Sequence, residues 1–165
     1  MKINTDHVDT ILTQWAKERP DLDSSPMAVT GRLAKLNHIV SQAQSQVFSE
    51  FSLNMGEFDV LATLLRSGSP YSLTPNQLLQ TLMLSSGAMT NRVDRLEAKS
   101  LVYRQADPND RRGVLVTLTE TGETLINQVI KKHVDRGHRL LEPLTVQEQE
   151  ALADLLKKLL IEYER

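Results

Sequence analysis

Two arginines stand side by side at 111 and 112, where the stretch DPNDRRGVLV passes from a polar turn into alternating apolar residues. Adjacent guanidinium groups on a turn suit an oxyanion such as phosphate, because each planar fork can pair two oxygens at once. A second set of donors lies upstream: Ser85, Ser86, Thr90, Asn91 and Arg95. At about 100° per residue, a helix over 85–98 gathers Met89, Val93 and Leu96 on one face and turns Asn91 and Arg95 away from it. Arginine bonds guanine bidentately and asparagine bonds adenine, while serines beside free helix N–H groups favour phosphate. A solvated helix face is the blander alternative. It loses weight here because a preceding helix, a small-residue turn and a basic hairpin all fit one docking geometry. In that geometry Arg111 and Arg112 lie along the backbone or in the adjacent minor groove. Asp107 and Asp110 shape the turn through side chain to backbone bonds.

Charge distribution supports this reading more than total charge does. The 165 residues carry a formal charge of −2, yet residues 85–112 hold six Lys/Arg against four Asp/Glu. Binding follows such local potential. Enzyme chemistry finds little to work with. There is no cysteine, and His7, His38, His133 and His138 form no metal-ligand spacing. No nucleophile elbow is present, and no cofactor or metal is called for. Without an apolar leader or an 18-residue apolar run, the expectation is a cytoplasmic protein with no membrane partner.

The elements that must position these donors follow from periodicity. The TDHVDTILTQWAKERP stretch suits a short amphipathic helix ended by Pro20, and a long helical pattern runs from Pro26 to Phe51. NMGEFDVLATLLRSG makes a third helix closed by Gly68, and Thr74-Pro75 opens a fourth. A break at SSG leads into the donor-bearing helix. LVYRQ and GVLVTLT are then β-prone runs joined by the DPNDRR turn, a two-stranded wing. Two more helices close the chain, the second opened by a capping box of Thr145 and Glu148. The fold class is mainly α with a small β wing: a winged helix-turn-helix in a dimer built from the N- and C-terminal helices. We divide the single domain 1–165 into N-terminal dimerisation helices (1–53), the winged helix-turn-helix (54–118) and C-terminal dimerisation helices (119–165).

Arg92 behaves differently from Arg95. It lies roughly 50° from Met89 and Leu96 on the helical projection, so it flanks the buried stripe and needs an acceptor. Asp59, set between Phe58 and Val60 in an apolar run, is the candidate. Two readings stand: a structural Asp–Arg pair, or a polar pocket at the junction of the reading unit and the dimer scaffold.

At this point the chain resembles the MarR family of winged-helix regulators over essentially its full length. DPNDRRGVLVTLTETGETL is similar to the family's wing signature, and SSGAMTNRVDRLEAKSLVYR to its recognition helix and first wing strand. ERPDLDSSPM, EFDVLATLLRSGSPYSLTPNQL and an N-terminal helix bearing a tryptophan resemble the urate-responsive branch more closely. The resemblance implies a homodimer on a pseudo-palindromic operator in double-stranded DNA, with repression relieved by a small anionic aromatic effector such as urate. It implies a ligand site of Trp15, Asp59, Arg92 and Arg104. Urate is planar and monoanionic, which suits a tryptophan partner and arginine hydrogen bonds, with the anion repelling Asp59. The chain departs from the branch at Lys99-Ser100, where a glycine usually precedes the strand, and at GHRLLEPL. A phenolic acid such as salicylate is the alternative effector, and a helical protein-interaction module the alternative function.

Overall fold

The computed structural model describes residues 5–82, 85–108 and 110–164, with the backbone but not the side chain of Arg111. The elements run α1 (His7–Glu18), α2 (Met27–Glu50), α3 (Met55–Arg66), β1 (Ser72–Leu73), α4 (Pro75–Leu82), α5 (Ser86–Ala98), β2 (Val102–Asp107), β3 (Asp110–Leu118), α6 (Glu120–Leu141) and α7 (Val146–Tyr163). The chain forms two compact units, one reaching to Ala43 and one running from Gln44 onward. The division falls within α2. Among the described residues, no helix is long and apolar enough to cross a membrane.

In the first unit, α1 begins at Asp6, whose carboxylate accepts from the amides of Val8 and Asp9 while Asp9 reaches back to the Asp6 amide. This reciprocal cap satisfies donors that the first turn leaves open. Arg32 of α2 then donates to Asp6 at 2.8 Å and to Asp9 at 2.7 Å. With Val8 buried, the cap and one apolar contact tie α1 to α2. Val29, Leu33, Leu36 and Ile39 of α2 remain exposed.

In the second unit α3 is the hub. Asn54 caps it and Glu57 completes the box. Val60, Leu61 and Leu64 are wholly buried, and Phe58 stacks on Phe48 at 4.3 Å. The core continues through Leu78 of α4, Met89, Val93 and Leu96 of α5, and Ile126 and Val129 of α6. Helix α4 is opened by Thr74, whose hydroxyl accepts from the Gln77 amide at 3.2 Å while Gln77 returns a bond to the Thr74 amide at 2.8 Å.

The sheet has three antiparallel strands in the order β1-β3-β2, one more than the expected two-stranded wing. The extra strand is two residues long, too short to leave a periodic signal. It forms because β3 offers a second edge: Ser72 pairs with Thr117, and their hydroxyls meet at 2.7 Å. On the other edge Arg104 lies opposite Val116, and the register shifts between Ala106 and Asp107 as the wing narrows to its tip.

Two backbone positions fix how α5 passes into the sheet and the sheet into α6. Ser100 takes φ +57 just after α5, a left-handed conformation in which a side chain is strained. Gly122 sits where Thr119 caps α6, and a Cβ there would fall 2.0 Å from the Leu101 carbonyl oxygen. Helix α7 keeps its Thr145–Glu148 capping box but has no buried residue. Leu155, Leu159, Leu160 and Ile161 are all exposed.

These positions predict opposite outcomes in thermal unfolding. Gly122→Ala forces backbone apart and loses about 2–3 kcal/mol, whereas Ser100→Gly relieves strain and gains up to about 1 kcal/mol. A neutral Gly122→Ala would contradict the close approach.

Candidate nucleic-acid interface

The donor-bearing helix α5 is held by its apolar stripe. Met89, Val93 and Leu96 are buried against the core, which fixes the opposite face outward. Asn91 and Arg95 are exposed, and neither side chain has a hydrogen-bond or ion-pair partner among the described residues. Ser85 is the N-cap in extended conformation and makes no side-chain cap bond, leaving its hydroxyl free for another acceptor or donor. Ser86 is exposed, and its carbonyl accepts from the exposed Thr90 hydroxyl at 3.1 Å. That bond uses the Thr90 proton and leaves its lone pairs unbonded among the described residues.

At the wing, Asp110 accepts from the Arg112 amide at 3.0 Å, the local bond that bends the strand at its start. Arg112 is exposed, with no side-chain partner among the described residues. The side chain of Arg111 lies outside the described residues, as does Asn109 of the turn.

The four ligand-site candidates are distributed as follows. Trp15 is on α1 in the first unit, 37% exposed. In the second unit Arg92 and Asp59 face each other at 3.9 Å, with side chains 27% and 40% exposed. The pair is loose, and Arg92 makes no hydrogen bond within the described residues. Its guanidinium lies over Gly56, where a Cβ would fall 2.5 Å from Nε. Only glycine leaves room for this arrangement. Partial burial raises the Asp59 pKa above the usual carboxylate value, opposed by the positive charges of Arg92 and Arg66 and by His133.

Arg104 is engaged elsewhere. Its guanidinium bonds Asp94 at 2.6 Å and also pairs with Glu97, both on α5. The two arginines therefore share no carboxylate. Partial burial disfavours the Arg104 charge, but its hydrogen bonds to the Asp94 and Glu97 carboxylates outweigh that and raise its pKa. Arg104 also lines a cleft of about 250 Å³ between α5 and the sheet, together with Pro75, Met89, Thr90 and Val116.

Sequence reasoning passed over Asp94, Glu97 and Glu57. Glu57 is 2% exposed, with Lys99 bonded to both its oxygens at 2.9 Å. The Asn54-x-x-Glu57 spacing, a capping-box signature, was its one available signal.

Helices α4 and α5, followed by a hairpin with a basic tip and unpartnered donors on the outer face of α5, define a winged-helix DNA-binding protein. The MarR family pattern matches residues 51–113. The HTH-type transcriptional regulator PecS of Dickeya dadantii is 41% identical over 149 residues, 90% of each chain. The multiple antibiotic resistance protein MarR of Escherichia coli is 34% identical over 133 residues, covering 78% of this chain and 90% of its own. A crystal structure of a mutant MarR from E. coli complexed with operator DNA superposes with a TM-score of 0.69 at 30% identity, over 94% of this chain and 99% of that one. The chain belongs to the MarR family of transcriptional regulators, a family that is not one of enzymes.

Asp59 carries a pH signature. Because its folded-state pKa lies above the unfolded value, the folded chain holds the proton more tightly. Stability from this group is therefore greatest in acid and falls as pH rises from about 4 through the folded pKa. Asp59→Asn removes that decline, so the variant gains on wild type as pH rises toward neutral. Parallel thermal melts from pH 4 to 7 check this; a variant that instead falls behind with rising pH contradicts the burial argument.

Proposed function

We propose that the protein is a cytoplasmic homodimeric repressor whose two α5 helices read the halves of a pseudo-palindromic operator, and that a small aromatic anion releases it. The observation that carries DNA reading is the pair of unpartnered donors, Asn91 and Arg95, on the face of α5 opposite its buried stripe. Ser85, Ser86 and Thr90 supply phosphate contacts at the helix start, and Arg111 and Arg112 supply them at the wing. The dimer is supported by the uncovered apolar residues of α7 and α2; an isolated helix with a leucine-rich face and nothing buried is what an unpaired subunit interface looks like.

For the effector, Asp59, Arg92 and Arg104 remain the candidates, with Trp15 as the aromatic partner. The support is chemical: among the described residues Arg92 has one loose carboxylate partner, so an anion gains a guanidinium that is already partly desolvated. Shifting two dimer states by a hundredfold needs about 2.7 kcal/mol, within reach of two charge-assisted hydrogen bonds. A second reading is favoured by the cleft beside Arg104, whose apolar walls and single guanidinium suit a phenolic acid such as salicylate. An anion there competes with Asp94 and Glu97 for the arginine and loosens the wing from α5.

Two predictions follow the two halves of this reading. In the first, duplexes are selected from a random library by the wild-type protein, and variants are titrated against them by anisotropy at several salt concentrations. Arg111→Ala or Arg112→Ala weakens binding to all sequences and lowers the salt slope by about one phosphate each. Asn91→Ala or Arg95→Ala relaxes preference at one base pair by about 1–3 kcal/mol. Failure to select any sequence, or a monomer in sedimentation that still binds a palindrome, would refute the proposal. In the second, urate and salicylate are titrated against the fluorescence of Trp15, the sole tryptophan, and against bound duplex. Arg92→Ala abolishes the response while DNA affinity stays within severalfold. Loss of the response with Arg104→Ala but not Arg92→Ala moves the effector to the wing cleft.

A further inference from the structure

Glu57 is an ionisable group buried to 2% exposure inside the winged-helix unit. One of its oxygens accepts the Asn54 amide at 2.9 Å, closing the α3 cap. Both oxygens also accept Lys99 Nζ at 2.9 Å. Lys99 is the C-cap of α5, and the same ammonium donates to the Ser52 carbonyl at 2.8 Å. Ser52 itself holds a left-handed φ of +56, which turns that carbonyl into the loop before α3. The C-cap residue of α5 is thus joined by three hydrogen bonds to the first turn of the central core helix and the loop before it.

Arg95 stands four residues before Lys99, on the same side of α5. It lines the same cleft of about 520 Å³ as Ser52, Asn54, Glu57 and Lys99. It has no partner of its own among the described residues. A buried carboxylate stripped of its counter-ion draws in a nearby cation; the arginine of α5 that lines its cleft is Arg95, since Arg92 is already paired with Asp59. We propose that Lys99 is a positioning residue for operator recognition: by neutralising Glu57 it anchors the end of α5 and leaves the Arg95 guanidinium free to reach the groove. The inference rests on the assignment of Arg95 as a base reader.

The test compares wild type, Lys99→Met, Glu57→Gln/Lys99→Met, Arg95→Ala and Arg95→Ala/Lys99→Met. The probes are the wild-type-selected duplex and the same duplex altered at the base pair that Arg95→Ala relaxes. Lys99→Met lowers discrimination between them ~10-fold with the salt slope unchanged, because a lysine paired to Glu57 neutralises no phosphate. Removing the buried charge as well, in Glu57→Gln/Lys99→Met, restores discrimination to within about twofold, since no anion remains to capture Arg95. In the Arg95→Ala background Lys99→Met has no further effect. Should the methionine variant not fold, Lys99→Gln still donates to Ser52 without neutralising Glu57, and it carries the same expectation. Full discrimination by the Lys99 variant, a salt slope reduced by about one phosphate with discrimination intact, or no restoration by Glu57→Gln would each overturn the proposal. If Arg95→Ala loses discrimination at no base pair, the reader assignment falls and the anchor with it. If Arg95→Ala loses discrimination but Lys99→Met does not, the anchor alone falls.

Discussion

Most of the second unit leans on α3, a helix of 12 residues with Val60, Leu61 and Leu64 fully buried. A helix this short offers four turns at most, and here α4, α5, α6 and the sheet all pack on it. Such close packing leaves no room for slack: interiors are as dense as organic crystals and pass a displacement on to the next element. A movement of α3 is therefore a movement of α5. That constraint makes the polar residues at the margins of α3 matter, because Glu57 and Asp59 stand one turn or less from the buried stripe and both face cations of α5.

The two acids occupy opposite regimes. Glu57 is deep, bonded on both oxygens and built into the helix cap, so its charge is fully answered. Asp59 is only partly covered, its partner stands at 3.9 Å, and burial shifts its titration upward. A tight pair fixes geometry, and a loose one can be exchanged for another anion at small cost. The same contrast divides the arginines of the reading unit. Arg104 is saturated by two carboxylates of α5 and couples the recognition helix to the wing strand. Arg95 and Arg112 have no side-chain partner among the described residues and are free for an external one.

Helix α7 states a different constraint. Its capping box and leucine-rich sequence make it locally well specified, yet among the described residues none of its side chains is buried. Amphipathic helices owe most of their stability to packing, and α7 is locally specified without burial. This is the physical ground for reading the scaffold as one half of a dimer.

Residue types and spacing alone located the helices, the wing hairpin and the outward donors of α5. Period 3.6 and period 2 are properties of the chain, and caps such as Thr74-Pro75 and Thr145–Glu148 act within four residues. The proximity of Asp59 to Arg92 was legible too, because each was a charge at the edge of an apolar stripe and needed an answer. What stayed hidden were contacts set by distance in sequence. Strand β1 exists only because β3 has a second edge for Ser72. Glu57 reads as an ordinary capping acid until Lys99, 42 residues on, is brought against it. Arg104 reads as a free cation until the sheet turns it onto Asp94 and Glu97. Local periodicity carries which face of an element is apolar; only the packed fold decides which charge each polar residue meets, because that choice depends on the orientation of whole elements and not on neighbours along the chain.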